Sequence, residues 1–199
     1  MQLDDFFSFA IEKVGPPGEE LEGAAMRYHV RAELGGRRFE DVIVDIAFSD
    51  PLGWEPDRII ATDLLEFADI KQITVPVLPL EQHVAEKLHA YTKIYGRGLV
   101  SSRAKDLVDI VLVKQSMSLD AGRLRAALVG VFEGRRQHPL PNTRPPPPTE
   151  WTVPYRKLAT QVGINPELQS GYLEAAELLD PVLAGGAKGH WDPKRECWH

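Results

Sequence analysis

Cysteine is nearly missing from this chain: its 199 residues hold one, Cys197. A lone thiol closes no disulfide and builds no cysteine-based zinc site within one chain, a usage that fits a reducing compartment. Long apolar runs are missing too. No stretch approaches the ~20 residues that cross a bilayer. The opening MQLDDFFSFAIEKV is acidic where a secretory leader is basic, and its apolar run is too short for a leader's core. These absences lead us to expect a soluble protein of the cytoplasm. Positive charge is scarce, with 23 Lys and Arg against 29 Asp and Glu, a net charge of −6. That balance argues against a broad electrostatic grip on nucleic acid, yet leaves room for a local basic strip. Internal repeats are absent. What is present, 43% hydrophobic and 26% charged residues, suffices for one sizeable core with at most a small appendage.

The pattern along the chain places strands first and helices after. Residues 27–34 (RYHVRAEL) and 37–48 (RRFEDVIVDIAF) alternate in polarity around Gly35-Gly36, which supplies the positive φ of a two-residue hairpin turn. On the second strand Val42, Val44 and Ile46 share one face, and Phe39, Asp41, Ile43 and Asp45 the other. Residues 51–63 read as a loop. Residues 73–78 (ITVPVL) read as a short extended segment that Pro76 restricts to a sheet edge. A helix is predicted from about 80 to 95, with the stripe Val84, Leu88, Tyr91 and Tyr95, ended by Gly96 and Gly98. Ser101 and Ser102 are good N-caps for a second helix, about 103–115, that buries Leu107, Ile110, Val111 and the stem of Lys114. A third helix runs from 120 to about 136.

Four consecutive prolines, 145–148, forbid regular structure and favour a stiff extended connector. Residues 155–162 and 166–179 read as two further helices, and the tail GGAKGHWDPKRECWH as loosely ordered. The fold class is α+β, with a short mixed or antiparallel sheet containing the hairpin and a mainly helical C-terminal part. The expected organisation is a core over 1–137, a proline-rich linker over 138–150 and a helical segment over 151–199.

Three features carry candidate chemistry. Asp45 interrupts an apolar strand, so its carboxylate must face water, find a partner or hold a metal. Lys87, in EQHVAEKLHAYTK, flanks the buried stripe; it either snorkels to solvent or presents a point charge to phosphate. Asp106 and Asp109 lie one helical turn apart beside Arg103 and Lys105, as ordinary surface pairs or as part of a site. Lys93, Arg97, Arg103, Lys105 and Lys114 form a possible basic strip for RNA or a solvated face. His83, His89 and His138 lack ligand-like spacing and read as surface or packing residues, and Trp151, Trp191 and Trp198 as packing anchors.

Together, DDFFSF, the Gly-Gly hairpin, VDIAF, PLEQHVAEKLHAYT, SSRAKDLVDI, the proline-rich link and a final WDP resemble the AbiEii/AbiGii-type nucleotidyltransferase toxin family of abortive-infection and toxin–antitoxin systems. The resemblance implies a polymerase β-like nucleotidyltransferase core that uses Mg2+ and transfers nucleotides from an NTP to an RNA acceptor, tRNA among the candidates. It also implies a cognate antitoxin as partner. It assigns Asp45 as a metal-binding catalytic carboxylate, Lys87 and Asp106 as catalytic residues, and Lys87, Arg103 and Asp109 as nucleotide-binding residues. The family's Gly-Ser turn and Asp-x-Asp pair are not found ahead of Asp45. The resulting expectation is an N-terminally truncated, incomplete core, from a late start or a decayed gene, with weak activity or none. The alternatives are a non-catalytic binding module that keeps an antitoxin or RNA surface, and a plain domain whose charges are all structural.

Overall fold

The computed structural model describes residues 6–14, 24–48, 54–63, 67, 69, 71–93 and 103–199. The chain divides into two compact units, 1–52 and 53–199.

The first unit is an antiparallel sheet of β1 (Phe7–Val14), β2 (Ala24–Leu34) and β3 (Arg37–Phe48) in that order. The expected hairpin is present, and Gly35 and Gly36 take φ of 56° and 76° as its turn demands. Opposed residues share a face. Ile11, Val30 and Val42 therefore line up on an apolar side, and Val14, Arg27 and Asp45 on the side that carries most of the charge. The register slips between Ala32 and Glu33, which leaves Phe39 as the extra residue of a bulge. Its ring meets Phe7 edge-on at 5.2 Å. Strand β1 corrects the sequence reading, which weighed the opening residues for their charge and overlooked the alternation Phe7, Phe9, Ile11.

The second unit begins with a small ladder in which β4 (Asp57–Ile60) pairs with β5 (Thr74–Val77). The extended segment around Pro76 is thus a strand in a two-stranded sheet, where every strand is an edge. Its partner lies within 51–63, so the loop expected there is corrected in part.

The helices follow: α1 (Leu80–Thr92), α2 (Ala104–Ser116), α3 (Ala121–Arg135), α4 (Thr152–Val162) and α5 (Leu168–Leu183), with a 3-10 turn over Thr149–Trp151. Helix α1 packs on α2 and α3, and α2 on α4 and α5. Val84, Leu88, Leu107, Ile110, Val111 and Leu128 make the core with Trp151, Tyr155 and Leu179. Each such side chain contributes ~1.5–3 kcal/mol on burial. Helix α1 stops at Thr92, three residues before the expected end. The Thr92 hydroxyl donates to the carbonyls of Leu88 and His89 at 2.9 and 3.2 Å, and Lys93 is extended. Tyr95, Gly96, Arg97, Gly98, Ser101 and Ser102 lie outside the described residues. Asp120 caps α3 by accepting from the Arg123 amide at 2.7 Å.

The proline stretch holds no helix or strand, as expected, and it is fastened to the helices. Tyr91 donates its hydroxyl to the Pro145 carbonyl at 2.7 Å. The buried Arg144 guanidinium donates to Asp180 and to the Tyr172 carbonyl, both at 3.0 Å.

Two expectations need correction. The tail is ordered: β6 (Trp191–Asp192) pairs with β7 (Cys197–Trp198), and the Trp191 amide donates to the Leu119 carbonyl at 2.8 Å. The Trp191 indole is 1% exposed and donates to the Lys114 carbonyl at 2.7 Å, so this tryptophan anchors the tail in the core. Lys114 belongs to no basic strip. Its ammonium is buried among Glu196, Glu177 and Glu174 at 2.7, 3.0 and 3.8 Å.

Candidate functional site

Helix α1 places Lys87 between Val84 and Leu88, both at most 1% exposed, so the lysine stem runs along the edge of the core. Helix α2 places Asp106 and Asp109 three residues apart, on one face and within reach of a neighbouring helix. The three side chains meet. Lys87 Nζ donates to Asp106 Oδ1 at 3.2 Å and also to Asp109 Oδ2. Arg103 Nη1 stands 3.7 Å from Asp106 Oδ2. The Asp106 side chain is 7% exposed and that of Asp109 26%, against 19% for Lys87. Two cations and two anions therefore balance in a half-buried cluster.

Two features of this cluster are chemically open. An ammonium has three N–H donors, and the described residues engage two of them. Asp106 Oδ2 is buried and accepts no hydrogen bond among the described residues. Burial works against the Lys87 charge, but the bonds and charges of Asp109 and Asp106 outweigh it and raise its pKa. The lysine is thus held as a cation. His83, one turn before Lys87 on α1, faces the same cluster. Burial first and the Lys87 charge second hold its imidazole below its usual pKa, with Asp109 and Asp106 in partial opposition. The sequence reading set His83 aside; its i−4 spacing from Lys87 was the available signal.

Asp45 lies in the first unit, on β3. It accepts from Arg27 Nε at 2.6 Å and from Nη2 at 2.8 Å. That two-point bond from Arg27 lowers the Asp45 pKa; burial opposes it, and the Arg27 charge adds to the lowering. Its carboxylate therefore has a partner on its own sheet.

Among the described residues no three His, Cys, Asp or Glu side chains come together to hold a metal ion. Asp106 and Asp109 turn oxygens to Lys87, and Asp45 turns both to Arg27. The described residues do not fit a magnesium site, and the 199 residues contain neither Gly-Ser nor Asp-x-Asp. No described helix is long and apolar enough to cross a membrane.

The architecture is that of a mixed α/β protein, a short antiparallel sheet followed by helices that carry a lysine braced by two aspartates. Residues 2–181 match the family described as nucleotidyl transferase AbiEii toxin, type IV toxin–antitoxin system, and the chain belongs to this family. A comparison with curated proteins yields no match.

Proposed function

We propose that the Lys87–Asp106–Asp109 cluster handles the phosphates of a nucleoside triphosphate whose nucleotidyl group is destined for an RNA acceptor, tRNA included. The observation that carries this reading is a lysine with one donor that the described residues leave unengaged, beside a buried carboxylate oxygen that accepts no hydrogen bond among them. A phosphate oxygen fits the free N–H, and a fixed ammonium there stabilises charge that develops on the leaving pyrophosphate. Asp106, the more buried carboxylate, orients the lysine. Asp109, more exposed, is the partner that an incoming phosphate displaces, and Arg103 adds a second positive charge.

For Asp45 to ligate a cation it must give up Arg27, and two-metal transfer needs several carboxylates close together. With no Asp-x-Asp pair in these residues, we expect weak Mg2+ binding and little nucleotidyl transfer by the 199-residue chain alone. A cognate antitoxin is the expected partner within its system.

The test is RNA labelling with a radioactive NTP, run beside NTP titration calorimetry. The chain should bind NTP in a Lys87-dependent manner and label RNA poorly. Fusion to a family segment that bears Gly-Ser and Asp-x-Asp should raise labelling strongly. NTP binding that survives Lys87→Ala would remove the site. Efficient labelling by the 199 residues, lost on Asp45→Ala, would overturn the expectation of weak transfer. A second reading, a non-catalytic module that retains an antitoxin or RNA surface, is favoured by the Arg27–Asp45 pair. It predicts toxicity or partner binding that is indifferent to Lys87→Ala.

A further inference from the structure

Helix α3 turns one face away from the core, and two opposite charges on that face have no partners. Gly130, Glu133, Gly134 and Arg136 are exposed, while Leu128, Val131 and Phe132 are buried behind them. Among the described residues neither the Glu133 carboxylate nor the Arg136 guanidinium makes a hydrogen bond or an ion pair. Opposite charges three residues apart on a helix ordinarily meet. Here they do not, because Arg136 ends α3 at φ 50°, in the left-handed region, and leaves the helical path that would stack it over Glu133. The neighbouring Arg135 cannot stand in, since it pairs with Glu86.

A cavity of about 690 Å3 opens beside this face. Val129, Phe132, Pro139 and Leu140 give it an apolar wall, and Glu133 and Arg136 line it as well. Gly130 and Gly134 set how near another chain can come. Neither has a positive φ, and a Cβ at either would meet nothing within 4 Å. Neither backbone conformation nor internal packing therefore calls for glycine, the poorest helix former after proline. A helix surface bare of side chains lets a second helix approach closely.

We propose that this face is an interface between two copies of the chain, whose α3 C-terminal halves cross antiparallel about a two-fold axis over Gly130 and Gly134. The charge pattern carries the choice of occupant. A two-fold contact is self-complementary: if one residue meets a second across the axis, the second meets the first on the other side. With the axis between the two charges, Glu133 meets Arg136 of the partner subunit, and Arg136 meets Glu133 of the partner subunit. Two reciprocal pairs then use both unengaged charges, and the apolar cavity walls close on one another. A polyanion would gain Arg136 and be repelled by Glu133, and a basic partner would face the reverse. The patch is smaller than the ~20–30 residues a side of a standard interface, so the dissociation constant should be ~1–100 μM. The surface shares no residue with the Lys87 cluster.

The test is sedimentation equilibrium of the full chain from low to high micromolar concentration, where the mass should rise from one chain toward two. Glu133→Arg sets like charges across the axis, as does Arg136→Glu, and each should weaken association at least about tenfold. The two variants are complementary to each other, so an equal mixture should regain wild-type association within about threefold. Gly130→Leu should also abolish the dimer while the melting temperature holds or rises, because leucine is the better helix former and its Cβ meets no atom of its own chain within 4 Å. A wild-type chain that stays monomeric at every concentration overturns the proposal and gives the face to a partner of other chemistry. So does a dimer that tolerates both Glu133→Arg and Gly130→Leu, or a variant mixture no heavier than its components.

Discussion

Replacing Lys87 with methionine keeps the stem that packs beside Val84 and Leu88 and removes only the ammonium. The fold then retains Asp106, 7% exposed, with Arg103 at 3.7 Å as its remaining cationic neighbour among the described residues. Removing one partner from an exposed ion pair costs ~0.2–1 kcal/mol. Removing one from a fully buried pair costs ~3–5 kcal/mol, because a charge is left uncompensated. The Lys87 cluster lies between these limits, so Lys87→Met should destabilise the chain by about 2 kcal/mol in urea unfolding at neutral pH. Asp106→Asn on that background should recover part of the loss, for a coupling of ~1–2 kcal/mol in a double-mutant cycle. The pH dependence has a definite sign. A lysine whose pKa is raised in the fold contributes stability that is full below its ordinary value of 10.5 and is lost as pH rises through the higher folded value. Wild-type stability should therefore fall at alkaline pH more steeply than that of Lys87→Met. A Lys87→Met stability within ~0.5 kcal/mol of wild type, with no coupling to Asp106, would refute the reasoning.

Four further outcomes follow from the core. The Tyr155 hydroxyl is buried without a hydrogen-bond partner among the described residues, and burial pushes its pKa up to about 12. Tyr155→Phe should leave stability unchanged or raise it by ~1 kcal/mol in chemical denaturation. Gly171→Ala, whose Cβ would lie 1.9 Å from that hydroxyl oxygen, should lower stability by ~1–3 kcal/mol in the same assay. Burial, with help from His138 and Arg135, lowers the His89 pKa from 6.5 to about 4. The fold thus holds His89 neutral, so up to ~3 kcal/mol of stability should be lost as pH falls from 6.5 toward 4; His89→Phe should blunt that loss in acid unfolding followed by circular dichroism. Trp191→Ala should cost ~3–5 kcal/mol and release the C-terminal hairpin, measured by unfolding and by proteolysis of the tail.

The helices were legible because each carries its period and its stops within one stretch of chain. Val84, Leu88 and Tyr91 mark one face of α1, and Asp120 marks the start of α3 through its own side chain. The hairpin was legible for the same local reason, a Gly-Gly turn between two alternating runs. What escaped was long-range. Strand β4 becomes a strand only by pairing with residues about 17 positions away, and four residues set no period of their own. The tail looked loose because GGAKGH offers no periodicity. Trp191 holds it through Leu119 and Lys114, more than seventy residues upstream. Helix α1 ended early because Thr92 turns its hydroxyl onto the helix's own carbonyls, a competition that composition does not reveal.

The site was legible in its parts and ambiguous in their meaning, and two lysines show why. Lys87 and Lys114 both sit on helices beside apolar stripes, and both meet carboxylates from another element. The sequence reads Lys87 as a snorkelling stem or a charge for phosphate, and Lys114 as a buried stem whose charge belongs to a basic strip or a solvated face. Geometry separates them. Lys114 is 2% exposed and points its ammonium at three glutamates, enough acceptors for all of its donors. Burial opposes its charge, and the bonds from Glu196 and Glu177 outweigh that and raise its pKa. No donor is left for a ligand, so it reads as a clasp between α2, α5 and the C-terminal hairpin. Among the described residues Lys87 has two acceptors, more exposure and a neighbouring carboxylate oxygen without a hydrogen bond. A closed cluster loses stability when its lysine is removed and gains no new behaviour. An open one should also lose a ligand, which is why calorimetry with NTP on Lys87→Met and Lys114→Met distinguishes the two. Lys114→Met should be the less stable of the pair and the one that still binds.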